Sequence, residues 1–160
     1  MLLGLAALST VAIATYSASD PLLRMVPVEN AAGAVGATLA GALVGSLGVG
    51  ALSCVAAMAW IGGGLAAGKG LPRLASRFWV GAVSLTLALA TLPQTLHEVL
   101  PGTVPAIAGG WLGDSLIRYE RVLLGLWGGL VVNTSLFVIG GLSLAGVSSA
   151  SAFWALGAGL

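Results

Sequence analysis

Charge is what this 160-residue sequence lacks. Only 7% of its residues are charged, where a water-soluble domain carries about 25%. Six Lys/Arg, five Asp/Glu and one His cannot cover the surface that a soluble domain of this length exposes. Disorder is excluded as well, because disordered chains are poor in apolar residues and rich in charge, whereas this one is 58% apolar with a mean hydropathy of +1.06. A net charge of +1 gives no basic footprint for nucleic acid, so no direct nucleic acid contact is expected. The single Cys54 rules out an internal disulfide and any cysteine-only metal site, and it reads as a small packing residue. His97 and Glu98 form one His–carboxylate pair, too few for a zinc site, which needs three or four converging ligands. No cofactor is expected. What remains is an all-α integral membrane protein whose first partner is the lipid bilayer.

The positions of the few charges divide the chain. Residues 1–19, 30–68, 78–96 and 122–160 carry none, and the ionisable residues fall in three patches between them. A helix needs about 20 apolar residues to cross about 30 Å of hydrocarbon. Stretches 1–19 and 78–96 suit one span each. The other two are too long for one crossing and too short for two, so each holds a span and something more. Four transmembrane helices are expected at about 2–18, 43–63, 78–97 and 121–143. An additional interfacial or shallow helix is expected at about 31–43, before the second span, with Asn30 as its N-cap. Residues 1–145 then form one four-helix membrane domain. Residues 146–160, with several Ser and the pair Phe153-Trp154, read as an interfacial tail or the start of a linker. Residues 1–19 lack the basic leader of a signal peptide and read as a span.

Lys69, Arg73 and Arg77 lie within nine residues with no acid among them. Positive charge in short loops marks the cytoplasmic side, which places loop 65–77 and both termini there. Tyr16, Trp60, Phe78 and Trp79 near the span ends fit an interfacial aromatic belt.

Few motifs carry chemistry. Gly63, Gly68 and Lys69 match most of a P-loop, but Gly70 stands where a Ser or Thr must hold magnesium, and the stretch ends a span. It reads as a glycine-rich helix exit. Gly41 and Gly45 form a GxxxG pair, which lets helices approach closely in lipid. Asn133 sits mid-way along the fourth span and reads as a hydrogen-bonding group between helices. No ionisable side chain falls inside an expected span, where transporters usually place them.

Several segments together resemble a known family. The stretch from Thr15 through Tyr16 to Asp20-Pro21 is similar to the S-Y-x-x-x-D-P segment after the first span of FtsK/SpoIIIE-type DNA translocases. Asn30, Gly33, Gly36 and Ala37 resemble the N-x-x-G-x-x-G-A run before their second span. Gly109, Gly110 and Gly113 resemble the G-G-x-x-G segment before their fourth, and Leu124-Gly125 with Gly128 continues the likeness. Order and spacing agree from about residue 2 to 145, although Thr15 stands in place of the usual Ser. The resemblance implies the N-terminal membrane domain of such a translocase. That domain anchors and assembles an ATP-driven DNA motor in the bacterial inner membrane at the septum, during cell division and chromosome partition. It also implies a homo-oligomer and contacts with other division proteins. The 160 residues hold no motor of their own, so the chain itself reads as non-enzymatic. The competing reading is a small oligomeric transporter or channel subunit. Its support is limited to four spans and the polar Ser, Thr and Asn133.

Overall fold

The computed structural model describes residues 1–20, 28–68, 76–102 and 109–145. Helices are the only repetitive structure among them. They are α1 (Leu2–Ala14), α2 (Gly33–Leu47), a 3₁₀ turn (Gly48–Gly50), α3 (Ala51–Ala66), α4 (Ser76–Val99) and α5 (Gly110–Leu144). Three helical stretches are long and apolar enough to cross a membrane: Gly33–Ala66, Arg77–Val99 and Gly110–Leu144. The shorter Leu2–Ala14 is an apolar helix whose polar side chains are Ser9 and Thr10. Helices are what a hydrocarbon environment demands, because each backbone group must be satisfied within its own segment.

Packing is inverted relative to a soluble protein. The buried apolar residues are mostly alanines, namely Ala6, Ala12, Ala37, Ala40, Ala51, Ala88 and Ala90, with Val55 and Ile117. Large apolar side chains such as Leu3, Leu5, Val11, Val83, Phe137 and Ile139 point outward. Small residues inside let backbones approach closely, which is how helices associate in lipid, and large ones outside meet the acyl chains.

Glycines set the crossings. A Cβ on Gly62 of α3 would come within 2.9 Å of the Leu3 amide nitrogen of α1. One on Gly50 would lie 2.8 Å from the Thr86 carbonyl of α4. Gly140 of α5 meets Leu85, and Gly81 of α4 meets Ser143 and Leu144. These contacts fix the register. α1 runs antiparallel to α3, α3 to α4, and the second half of α5 to α4. Leu2 and Leu144 therefore lie on the side where α3 and α4 are joined.

Three details depart from the sequence expectations. First, α1 stops at Ala14 rather than near residue 18, because Thr15 leaves helical geometry and hydrogen-bonds the next segment. Second, α2 runs from Gly33 to Leu47, longer than expected, with Ala32 as its N-cap residue. Asn30 stands two residues upstream, where its Oδ1 accepts the Ala32 N–H at 3.0 Å. Gly48 (φ +56°, ψ −131°) and the 3₁₀ turn then break α2 from α3 within the apolar stretch Gly33–Ala66.

Third, the fourth helical run begins at Gly110, well before residue 121, and breaks at Gly125, whose φ of +69° and ψ of −178° are non-helical. Residues 110–124 (α5a) pack beside α4 with Gly113 facing Ala90 and Arg121 facing Glu98. Beyond Gly125, residues 126–144 (α5b) run back past Thr91 and Leu85 towards Gly81. The polar patch that separates spans in sequence is thus half of a helical hairpin. Of the expected tail, residues 146–160 lie outside the described residues.

Candidate functional site

Two clusters collect most of the residues singled out in the sequence. The first closes the far end of α1, away from the α3–α4 connection. Asn30 is buried, and its Nδ2 donates to the Ala12 carbonyl at 2.7 Å and the Thr15 carbonyl at 3.2 Å. Those carbonyls belong to the last turn of α1 and to its C-cap residue, where no intrahelical donor remains for them. Thr15 Oγ1 donates to the Val11 carbonyl and accepts the Ala31 N–H at 3.1 Å. The Asp20 carboxylate accepts the backbone N–H groups of Glu29 at 2.9 Å and Asn30 at 3.2 Å. Gly33 donates its N–H to the Asn30 carbonyl at 2.8 Å, and Gly36 packs where a Cβ would stand 2.7 Å from Asn30 Oδ1. Asp20, Asn30, Gly33 and Gly36 therefore act on one another: the acid fixes the Asn30 backbone, Asn30 caps α1, and Gly36 makes room for its amide. Tyr16 lies on the exposed side of this knot. Pro21 lies outside the described residues.

The second cluster surrounds Ala90 of α4, which is fully buried. Gly109 and Gly113 approach so closely that a Cβ on either would fall 2.2 and 2.0 Å from the Ala90 carbonyl oxygen. A Cβ on Gly110 would fall 2.5 Å from the Gly48 amide nitrogen. The G-G-x-x-G segment is thus a three-way junction of α5a, α4 and the turn between α2 and α3.

Above this junction lies a buried polar hub. Asn133 has no exposed surface. Its Oδ1 accepts from Thr91 Oγ1 at 2.7 Å, and its Nδ2 donates to Thr95 Oγ1 at 3.2 Å and Glu120 Oε2 at 2.9 Å. Thr91 and Thr95 also donate to the Leu87 and Thr91 carbonyls one turn earlier in α4, and Pro93 lies inside the helix between them. Glu98 of α4 pairs with Arg121 of α5a beside it. A small cavity of about 10 Å³, lined by Thr95, Glu98, Glu120, Arg121, Gly125 and Gly129 among others, lies between these groups. It has room for one water-sized sphere.

Sequence reading missed Glu120 and Gly125 as structural residues. Charge-free spans were expected, yet the Glu120 carboxylate reaches a buried Asn on the fourth crossing. A helical wheel over 110–124 would have signalled it, since Gly113, Ile117 and Glu120 share one face. The GxxxG pair also looks different in three dimensions. A Cβ on Gly45 would meet open space, and Gly41 is half-buried, so Gly45 makes no close crossing within the chain. Arg77 is exposed at the start of α4, while Lys69 and Arg73 lie outside the described residues. No group of three or more potential metal ligands occurs among the described residues.

A family model for the 4TM region of DNA translocase FtsK/SpoIIIE matches residues 1–157. The chain belongs to this family. Searches of curated proteins and of solved structures find no match. As an FtsK/SpoIIIE membrane region, the chain is a membrane-embedded helical domain. The two glycine-lined junctions and the Asn133 hub are the internal contacts that hold it together.

Proposed function

We propose that this chain is the anchoring and assembly domain of an FtsK-like DNA translocase that acts in cell division and chromosome segregation. The family match over residues 1–157 carries the reading. The packing supports a scaffold: the interior is largely alanine, glycine and polar groups, and the buried Asn30, Ser53, Thr91, Thr95 and Asn133 hydrogen-bond one another or the backbone. In this reading the domain sits in a bacterial inner membrane, with loop 65–77 and both termini cytoplasmic, as the cluster Lys69, Arg73 and Arg77 favours. It forms a homo-oligomer, engages other division proteins, and leaves DNA to the motor it anchors. A fluorescent fusion in dividing cells tests the proposal. Concentration at the septum is expected, and uniform labelling of the envelope would refute the division role. Cysteine labelling from either side at position 73 tests the orientation separately, with protection from an impermeant outside reagent expected.

A further inference from the structure

α3 and α4 meet closely at one end and stand apart at the other. At the close end the hydroxyls of Ser53 and Thr86 share a hydrogen bond at 2.7 Å, and a Cβ on Gly50 would lie 2.8 Å from the Thr86 carbonyl. Ala51, Ala88 and Ala90 are fully buried there. Towards the end where the two helices are joined, Ala57 and Ala82 lie between them yet remain partly exposed. Their methyl groups are too short to close the gap. Each helix leans on another neighbour at that end: Gly62 of α3 on Leu2 and Leu3 of α1, and Gly81 of α4 on Ser143 and Leu144 of α5b.

The result is a cleft open on both flanks. One groove, of about 180 Å³, runs past Trp60, Phe78 and Leu85, with Leu144 at its edge. The other, of about 380 Å³, runs past Met58, Ile61, Trp79 and Val83. Ser53, Ala57 and Ala82 line both. The Ser53 and Thr86 hydroxyls stand at the closed end, and the walls leading to them are apolar. From Arg77 to Thr86, α4 rises about 14 Å, which matches the depth of one lipid leaflet, about 15 Å of hydrocarbon. Exposed Trp60 and Trp79 flank the mouth, and tryptophan favours the membrane–water interface. Arg77 is exposed immediately before Phe78, and it takes part in neither ion pair found among the described residues. The sequence joining the two helices adds Lys69 and Arg73 and no acid, so the cleft opens towards a positive membrane face.

We infer that the cleft holds one acyl chain of an anionic phospholipid whose phosphate meets the Arg77 guanidinium. Arginine presents a planar fork of donors that matches a phosphate, and basic residues between helices at a membrane face recruit acidic headgroups. The acyl chain is slim enough to enter between Ala57 and Ala82, and it ends where Ser53 and Thr86 close the gap. A helix of another chain, about 10 Å across, would have to run on past that closure. The inference rests on the membrane assignment alone and stands apart from the division role.

The test uses the full chain carrying Trp111→Phe, Trp127→Phe and Trp154→Phe, so that Trp60 and Trp79 at the cleft mouth are the fluorescent reporters. Phosphatidylcholine vesicles contain chain-brominated phosphatidylglycerol or chain-brominated phosphatidylcholine, at about 0.15 M salt to screen diffuse surface attraction. Quenching gives the relative binding constants of the two lipids. Phosphatidylglycerol should bind about fivefold tighter, the worth of one arginine beside an anionic headgroup. Arg77→Gln should bring that ratio close to one, and Arg77→Lys should keep most of it. Ala57→Leu and Ala82→Leu fill the cleft from either helix and should each lower the ratio, with circular dichroism checking that the helices persist. Arg118→Gln on α5a is the control and should leave it unchanged. A ratio near one before the cleft is altered would overturn the inference, as would a fivefold ratio that survives both cleft-filling substitutions.

Discussion

Glu120 Oε2 accepts a hydrogen bond from Asn133 Nδ2 at 2.9 Å across thirteen residues of one helical run. In a straight helix those residues would stand about 20 Å apart along the axis. The bond exists because Gly125 turns α5a back on α5b, and it ties both arms of that hairpin to Thr91 and Thr95 of α4. One amide thereby joins three helical segments, with both of its N–H groups and its oxygen engaged.

Replacing that amide should loosen all three segments together. Asn133→Leu leaves Glu120 without its donor in a site that has little water, a loss of about 1–3 kcal/mol. Unfolding of the detergent-solubilised protein by SDS, followed by circular dichroism, should show the decrease. Combining it with Glu120→Gln should cost less than the sum of the two, with a coupling of about 0.6–1.7 kcal/mol. Additivity would mean that the pair contributes no joint stabilisation.

The junction at Ala90 gives a contrast between glycines. Gly113→Ala places a methyl carbon 2.0 Å from the Ala90 carbonyl oxygen, whereas Gly45→Ala adds one in open space. The first forces α5a off α4 and should lose about 1–3 kcal/mol or more. The second should be neutral or slightly stabilising in the helix. Unfolding of each variant in SDS, measured side by side, checks the order. Equal effects would disprove the close approach.

Much of this architecture was legible in the letters, for physical reasons. Crossings showed as charge-free stretches because burying charge in lipid is expensive. Gly36 and Gly113 stood out in family-like spacing, and the structure supplies a steric reason for each. Glu120 was not legible, because a carboxylate beside Asp114, Arg118 and Arg121 looks like part of a solvated patch. Only the reversal at Gly125 carries it to Asn133. The breaks at Gly48 and Gly125 were hidden for a similar reason. In a chain with 25 glycines, nothing local distinguishes the ones that turn the backbone from the ones that merely thin a helix surface.

At the far end of α1, Asn30→Ala removes both donors that satisfy the Ala12 and Thr15 carbonyls. The last turn of α1 should fray, and amide hydrogen exchange at residues 11–15 should quicken more than elsewhere in the chain. The loss of global stability should be about 1–3 kcal/mol. The Glu29 and Asn30 N–H groups use different oxygens of Asp20, so Asp20→Asn keeps an acceptor for only one of them; because the Asn30 side chain still caps α1, its effect on the same amides should be smaller.

Gly125 is the residue on which the hairpin turns, and its substitution separates backbone strain from crowding. A Cβ there meets nothing within 4 Å, so any penalty for Gly125→Ala comes from the backbone alone. Its φ of +69° with ψ of −178° lies in a region that only glycine occupies readily, and an alanine held there is strained by about 1–3 kcal/mol. The chain relieves that strain by letting residues 124–126 become helical, which straightens α5 and pulls Glu120 away from Asn133. A Cβ on Gly129 would lie 3.8 Å from the Glu120 Cβ, so a cysteine pair at positions 120 and 129 should crosslink in an otherwise wild-type protein and much less once Gly125→Ala is added. Gly63→Ala, also in open space but inside regular helix, is the matched control and should leave the crosslink unchanged. Undiminished crosslinking in the Gly125→Ala protein would show that the turn does not depend on glycine.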